Sequence, residues 1–561
     1  MTEAAAAFPS TTHREKLERL SREAFDVLVI GGGINGVGIA REAALRGLRT
    51  ALIDKGDFAS GTSSKSSKLI HGGLRYLQEG DLGLVLEASR ERDLLRRLAP
   101  HLVRPIPFFF PVYRGGPVPL WKLRLGLVAY DVLAAFRNIA RHRIGKMAWA
   151  EGQEPRLRRE GLRGAALYYD CFTDDARLVL ETMLGAEEAG AVCLNYVALD
   201  GFEKDGGRLV AVTARSVEGD GSSLRIAARS IVNATGPWLD SIRQLDDSNV
   251  VPLLRRTKGV HLIVPRERVG HRNAIVLHAI RDGRILFVIP WEEQSIVGTT
   301  DTDFTGSPDS VTTESEDVDY LLETVNHYFP AARLTDRDVV ASYAGLRPLI
   351  AGGVAEAPSA VSREEAIVES ASGLVSIGGG KLTTYRRVAV RVIDRVAERL
   401  MSIHGIHSRR RSGTDRRPLP GGDPSYRDTL VASGSHGSSA SAEDLRYLAE
   451  RYGSRCRSLA SALESDPSLA RRLSSGTPDM LVQAWFGAVA EMAVRVEDVL
   501  RRRTQVAFRT FDQGVGAADL AAEAMASPLG WDEKTKRRRV EEFRATAGES
   551  WRAESLNRKK A

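Results

Sequence analysis

The chain is poor in the residues that mark secreted, membrane-spanning or metal-dependent proteins. Its 561 residues include three cysteines, Cys171, Cys193 and Cys456. These lie far apart, form no C-x-x-C pair and no zinc spacing, and are too few for a disulfide framework. A reducing cytosol is the expected setting, with the thiols acting as small buried apolar groups. No stretch reaches the ~18 consecutive apolar residues of a membrane-spanning helix, so any membrane contact is expected to be peripheral. Residues 1–23 carry an alanine run with no basic segment before an apolar core, and do not read as a signal peptide. No H-E-x-x-H or comparable set of histidines and carboxylates occurs, so no metal is expected. Charge is nearly balanced: 79 Lys and Arg against 72 Asp and Glu, a net +7. That surplus suits an anionic substrate or an anionic membrane face. No nucleic-acid motif accompanies it, and no nucleic-acid partner is expected.

What is present is a globular composition, 43% hydrophobic and 27% charged, on a chain long enough for two to four domains. The most informative stretch begins at Phe25. Phe25 to Ile30 reads as a short buried strand. Gly31, Gly33 and Gly36 then fit G-x-G-x-x-G, a helix runs from about Asn35 to Leu45, and a second apolar strand ends at Asp54. The first glycine makes a tight turn, the second lets a pyrophosphate approach the backbone, and the third lets helix pack on strand. The helix N-terminus attracts phosphate charge, and the acid after the second strand accepts from ribose hydroxyls. Strand, helix and acid together supply the context that a lone glycine motif lacks. The chain is expected to bind a dinucleotide.

A polar tail, frayed or in a short helix, covers residues 1–23. The nucleotide-binding unit runs over about 24–405, interrupted by a strand-rich insert mainly at 100–165 and 256–345. After Asp54 comes a Ser/Gly-rich run, Gly61 to Arg75, read as an ordered loop because Leu69, Ile70, Leu74 and Tyr76 give it something to pack. Segments 83–98 and 121–143 read as helices, 106–112 as a strand with prolines at its edges, and 208–232 as two strands. Strand–glycine-turn patterns return at Ala234–Gly236 and Gly378–Thr384. A basic Gly/Pro/Ser stretch, 402–424, reads as a linker. Residues 425–561 read as helical, opened by a capping box at Ser441 and Asp444.

The block Ser63-Ser-Lys-Ser-Ser-Lys-Leu-Ile-His-Gly-Gly-Leu-Arg-Tyr-Leu77 resembles the FAD-dependent, quinone-linked glycerol-3-phosphate dehydrogenases. So do Asp174 to Leu180, Val232 to Trp238, Lys258-Gly-Val-His261, Ile289-Pro-Trp291, Val297 to Asp301, Gly345-Leu-Arg-Pro348, Gly379 to Tyr385 and Leu419 to Gly422, all in family order. The resemblance implies an α/β fold: a Rossmann-like FAD domain interleaved with a mixed-sheet substrate domain, followed by an all-helical C-terminal domain. It implies FAD as cofactor, glycerol 3-phosphate as substrate, membrane quinone as electron acceptor, and a homodimer on the inner face of the cell membrane. A glycerol-3-phosphate oxidase passing electrons to oxygen is the nearest alternative, and a non-catalytic FAD-binding sensor or membrane module a distant one. Besides Gly31, Gly33, Gly36 and Asp54, the cofactor residues it implies are Ser63, Ser64, Ser67, Lys68, Ala234, Gly236, Gly380, Lys381, Leu382 and Thr383. The backbone supports FAD as well, because a long cofactor needs several close backbone approaches.

Oxidising such a substrate takes a grip on a phosphate dianion and a base for the hydroxyl proton. Arginine suits the first task, with its planar fork of donors. The family pattern points to Arg75, Arg347 and Arg363, with Lys258 beside them. Arg347 lies in an apolar segment, where its alternative role is an ion pair with a carboxylate. His261 and His71 are the candidate bases, since an imidazole is neutral near physiological pH, and Lys258 is expected to help keep His261 neutral. His71 has lying against the flavin as its other reading. Lys381 is placed to neutralise substrate phosphate or reduced flavin. Finally, Trp121, Leu125, Val128, Val132, Phe136 and Ile139 share one helical face bordered by Lys122, Arg124, Arg137, Arg141, Arg143 and Lys146. That pattern fits either a basic interfacial helix or a helix facing the substrate-domain core.

Overall fold

The computed structural model describes residues 10–73, 81–133, 139–219, 221–351, 365–423 and 440–548. Ala24–Ile30 is apolar almost throughout and buried on both faces, as a central parallel strand must be. Thr50–Ile53 and Ser223–Asn233 flank it in parallel. Leu374–Gly378 extends the sheet beyond Ser223–Asn233, and Val192–Leu194 closes the other side. The antiparallel Val197–Asp205 and Arg208–Ser216 strands hang from the start of Ser223–Asn233. The Ile34–Leu45 helix packs against Tyr385–His404 and Asp175–Glu188.

A second, mixed sheet is built around Leu254–Pro265. Ala341–Ile350 pairs with it along its whole length, and Gln294–Gly298 pairs with its second half. Ile285–Trp291, Ala274–His278, Arg104–Tyr113 and Leu162–Phe172 follow in order. Strand side chains alternate between faces. Val260, Leu262 and Val264 therefore pack against Val318, Leu321 and Val325 of the Ser315–Tyr328 helix, while His261 points to the other face, where its ring stacks on Tyr343. The C-terminal helices, from Ala442–Tyr452 to Glu533–Gly548, enclose a core of their own. The Ser441–Asp444 capping box is formed as expected.

Two expectations change. The helix expected over 121–143 runs over Leu120–Leu133, and Arg143–Lys146 is a strand paired with Leu162–Phe172. The chain turns back where His142 Nδ1 meets Asp131 Oδ2 at 2.7 Å. The 402–424 stretch is not a loose linker. Ser402 to His404 complete the Tyr385–His404 helix, Leu419 is buried, and the Arg417 and Pro418 carbonyls accept from the Arg41 guanidinium. A proline- and glycine-rich backbone cannot satisfy itself, so it takes its partners from the neighbouring helix. Of the two readings of the N-terminal segment the short helix is the one found, over Ser10–Arg22, with Lys16 Nζ 2.6 Å from Glu187 Oε1.

The helical C-terminal region is tied to the nucleotide-binding sheet through buried charge. Asp57 accepts from Arg502 Nε at 2.5 Å, Arg503 Nη2 at 3.0 Å and Asn195 Nδ2 at 3.0 Å. Burial alone would raise this carboxyl, but Arg503 and Arg502 hold it below its ordinary range. Asp57→Ala takes a carboxylate from two buried guanidiniums, leaving Arg502 with Asp498 and Arg503 with the Glu491 carbonyl, which is expected to cost about 3–5 kcal/mol. Urea unfolding followed by far-ultraviolet circular dichroism checks this; an unshifted midpoint contradicts it.

Candidate active site

The strand Ala24–Ile30 delivers the chain into a turn that only glycine can make. Gly31 has φ +110°, and a Cβ there would lie 2.6 Å from the Ala234 carbonyl oxygen; one on Gly36 would lie 1.8 Å from the Gly31 oxygen. Gly33 is the N-cap of the Ile34–Leu45 helix and offers no side chain to it. Ser63 Oγ accepts from Ile34 N at 3.0 Å, which brings the Ser/Gly-rich run to the helix start. Asp54 Oδ2 accepts from Gly32 N at 2.5 Å and Oδ1 from Gly56 N at 2.8 Å. Burial pushes its carboxyl up to about 6, against the pull of those two amides. Ala234 N donates to Ile30 O, and Gly236 follows at φ +56° with open space where a side chain would be. Glycines pressed into a turn, a helix start lacking a side-chain cap from its N-cap residue and an acid at the strand end fit a dinucleotide.

Beyond this turn lies a cavity of about 630 Å³. The first sheet's glycine turn supplies Gly380 to Thr383, where Leu382–Thr384 forms a short 3-10 turn leading into the Tyr385–His404 helix. The Ser/Gly run supplies Ser67 and His71, and the second sheet supplies His261 and Arg347. Phe108, Phe110, Tyr168 and Phe287 form an aromatic wall. The expected catalytic residues His71, His261 and Lys381 and the expected phosphate ligand Arg347, from distant parts of the chain, thus share one space.

Their settings differ. His261 is 2% exposed, stacks on Tyr343, and shares a hydrogen bond between Nε2 and Ser67 Oγ at 2.8 Å. Burial, then Arg347 and Lys68, keeps its pKa well below the ordinary imidazole value. His71 is half-buried at the cavity, and its N–H donates to Thr383 Oγ1 at 3.2 Å. Arg347 reaches Asp301 Oδ1 at 2.9 Å and Thr299 Oγ1 at 2.9 Å. Both readings of Arg347, cavity residue and ion-pair partner, therefore describe the same side chain.

Other expected residues sit elsewhere. Lys258 does not reach the cavity: strand alternation turns it to the helix side, where Nζ pairs with Asp317 at 2.8 Å and Glu314 at 2.9 Å. The cations that act on His261 are Arg347 and Lys68 instead. Lys68 is 1% exposed, with Nζ 2.5 Å from Asp175 Oδ1, so its side chain supports the loop from behind. Ser64 is buried as well. Arg75 and Arg363 lie outside the described residues. Lys65 and Asp170 are charged cavity residues that the sequence did not single out. Burial, with Arg501 and Arg502 nearby, lowers the Lys65 amine to about 8. Lys65 stands inside the Ser/Gly run, so its position was the available signal; nothing in the sequence marks Asp170.

A neutral, buried His261 has a consequence for pH. Its folded pKa is depressed, so its contribution to stability is complete above the unfolded value of about 6.5 and falls away as pH drops below it. Ring-nitrogen shifts in 15N-histidine-labelled protein should show His261 neutral at about pH 6.5, where a free imidazole is half protonated; half-protonation at that pH contradicts this environment.

Comparison with known proteins matches two family models. Residues 26–386 match the FAD dependent oxidoreductase family, and residues 412–536 match the C-terminal domain of alpha-glycerophosphate oxidase. A glycerol-3-phosphate dehydrogenase from Synechocystis sp. is 35% identical, over 93% of this chain and 96% of its own. Glycerol-3-phosphate dehydrogenase 2 from Mycobacterium bovis is 38% identical, over 94% and 88%. The X-ray structure of the glycerol-3-phosphate dehydrogenase from Bacillus halodurans complexed with FAD superposes with a TM-score of 0.79 at 32% identity, covering 96% of this chain and 98% of that one. With the glycine turn, the cavity and these full-length likenesses together, the chain belongs to the FAD-dependent glycerol-3-phosphate dehydrogenase family.

Proposed function

We propose that the protein oxidises sn-glycerol 3-phosphate to dihydroxyacetone phosphate and passes the electrons to a membrane quinone. The observation that carries this reading is the meeting of Arg347, His71, His261 and Lys381 on one cavity beside the glycine turn. Bound FAD supplies the hydride acceptor. Gly31, Gly33 and Gly36 would hold its pyrophosphate and Asp54 its ribose, with Ser63, Ser67, Ala234, Gly236 and Gly380 to Thr383 along its length.

Arg347 grips the substrate phosphate. Asp301 and Thr299 fix its guanidinium, so its planar fork is ordered before substrate arrives. Lys381 adds positive charge at the same cavity. His71 takes the C2 hydroxyl proton: it is half-buried at the cavity, while the Nε2 of His261 is engaged by Ser67 inside the second sheet. His261 then positions Ser67 and lends the wall a neutral ring.

The quinone route rests on the Leu120–Leu133 helix. Leu123, Leu127 and Tyr130 are buried, while Trp121 is 67% and Leu125 62% exposed, in line with exposed Val128 and Val132. These four share one stripe of the helix, and Leu125, Lys122 and Leu82 also line the cavity. An exposed apolar stripe with cationic neighbours suits a lipid headgroup boundary, and it leads an apolar acceptor to the cavity mouth. Ile139 is not part of the stripe, since it packs against the core of the first sheet; Phe136 lies outside the described residues. Among the described residues no helix is long and apolar enough to cross a membrane.

Adding glycerol 3-phosphate to the purified protein without oxygen should bleach the oxidised flavin band. Arg347→Ala should raise KM by orders of magnitude, because losing a buried charge-assisted contact costs about 2–5 kcal/mol. No bleaching sinks the substrate, and an unchanged KM removes Arg347 from it. A Trp121→Glu/Leu125→Glu variant should leave anionic vesicles in co-sedimentation and lose quinone reduction, while dye reduction by glycerol 3-phosphate persists. Stoichiometric peroxide in air would favour oxygen as acceptor.

A further inference from the structure

Beneath the loop that carries His71 lies a buried polar junction that draws on four separate parts of the chain. Its centre is Asp170, 3% exposed, on the Leu162–Phe172 strand. Asp170 Oδ1 accepts from Arg92 Nη1 at 2.5 Å, from the Tyr130 hydroxyl at 2.8 Å and from the Gly72 amide at 3.0 Å. Arg92 comes from the Leu82–Leu98 helix and is 2% exposed; Tyr130 comes from the Leu120–Leu133 helix and is 1% exposed. Arg92 Nη1 also donates to the Tyr130 hydroxyl at 2.8 Å. The Gly72 backbone is pressed onto this junction: a Cβ there would lie 2.2 Å from the Tyr130 hydroxyl oxygen and 2.6 Å from Ser89 Oγ. On the other side, His71 N donates to Thr383 Oγ1. His71 is therefore held between two fixed points, Thr383 and the Gly72 amide on Asp170.

The burden on Asp170 is more than a structural ion pair needs. Arg92 is already matched by one carboxylate. The same oxygen also fixes a backbone amide one residue from His71, and it does so in a dry site, where charge-assisted bonds are strong and a misfit is costly. We infer that Asp170 is a positioning residue for the reaction: through the Gly72 amide it sets where the His71 imidazole stands in the cavity, and Tyr130 and Arg92 set where Asp170 stands. The inference rests on the reading of His71 as the base. It also ties the catalytic loop to the helix that bears the exposed apolar stripe, because Tyr130 lies on the buried side of that helix.

A double-mutant cycle on the FAD-loaded protein tests it. Flavin content, KM and the anaerobic rate of flavin bleaching by glycerol 3-phosphate are measured for Asp170→Asn, His71→Asn and the pair. Asp170→Asn should slow bleaching about 100-fold, as for an ångström-scale misplacement, with full flavin content and KM within about two-fold. In the His71→Asn background the same change should have no further effect, since there is no longer a base to place. Asp170→Asn weakens the acceptor for buried Arg92 and endangers folding, so Tyr130→Phe, which removes the hydroxyl's bonds to Asp170 and Arg92 but no charge, serves as a second variant. It should slow bleaching about 2–10-fold, less than Asp170→Asn because Asp170 keeps Arg92 and the Gly72 amide, and again only when His71 is present. Losses that multiply in the double variants, or normal bleaching in both Asp170→Asn and Tyr130→Phe, would overturn the inference while leaving the role of His71 intact. Normal bleaching by His71→Asn is the separate outcome that removes His71 as base, and the inference with it.

Discussion

The buried ion pair between Lys68 and Asp175 is the contact on which the site depends. It pins the middle of the Ser/Gly-rich run, at a residue with φ +57°, to the start of the Asp175–Glu188 helix. An unpartnered charge at that depth would be costly, so the pair leaves the run one conformation. From this anchor the run reaches every other part of the site. Ser63 meets the nucleotide helix, Ser66 meets Asp175, Ser67 meets His261, His71 meets Thr383, and Gly72 meets Asp170. Small side chains are needed because the run threads between two sheets and hydrogen-bonds to both. Thr62 Oγ1 donates to the Leu346 carbonyl, and Leu69 and Ile70 pair with Phe172 and Cys171.

The same logic explains why so much charge is buried away from the cavity. Arg177, Arg455, Glu181 and Glu491 form a cluster between the nucleotide-binding sheet and the C-terminal helices, and Asp57 with Arg502 and Arg503 forms another. Glu181 is pushed up to about 7 by burial in spite of its arginines. Buried pairs of this kind add little net stability over an apolar contact but tolerate few alternative arrangements. They fix the register of the helical region against the sheet, and with it Arg501 and Arg502, whose charges help lower the Lys65 amine.

Much of the architecture was legible because it is local. The strand–turn–helix of Phe25 to Leu45, the glycine turn before Lys381, the paired strands of 208–232 and the Ser441 capping box all follow from periodicity and capping chemistry within a few residues. The strand at Arg143–Lys146, inside the segment expected as helix, was not legible: it is set by pairing with Leu162–Phe172 and by the Asp131–His142 contact, which no local pattern records. Nor was the 402–424 stretch, whose composition is that of a linker while its carbonyls are held by Arg41.

The sequence by itself determined that a dinucleotide turn exists, where its glycines fall, and which blocks of residues mark the family, since each is a short-range pattern with a short-range cause. Only the tertiary structure decided which charged side chains face the cavity. Lys258 and His261 are three residues apart on one strand, so the pleat places them on opposite faces, one among carboxylates and one in the cavity wall. Asp170 gained its place through strand and helix packing that joins residues some 40 to 100 positions apart. A linear pattern carries no record of which distant amide a carboxylate will meet; that is fixed when the sheets and helices close over it.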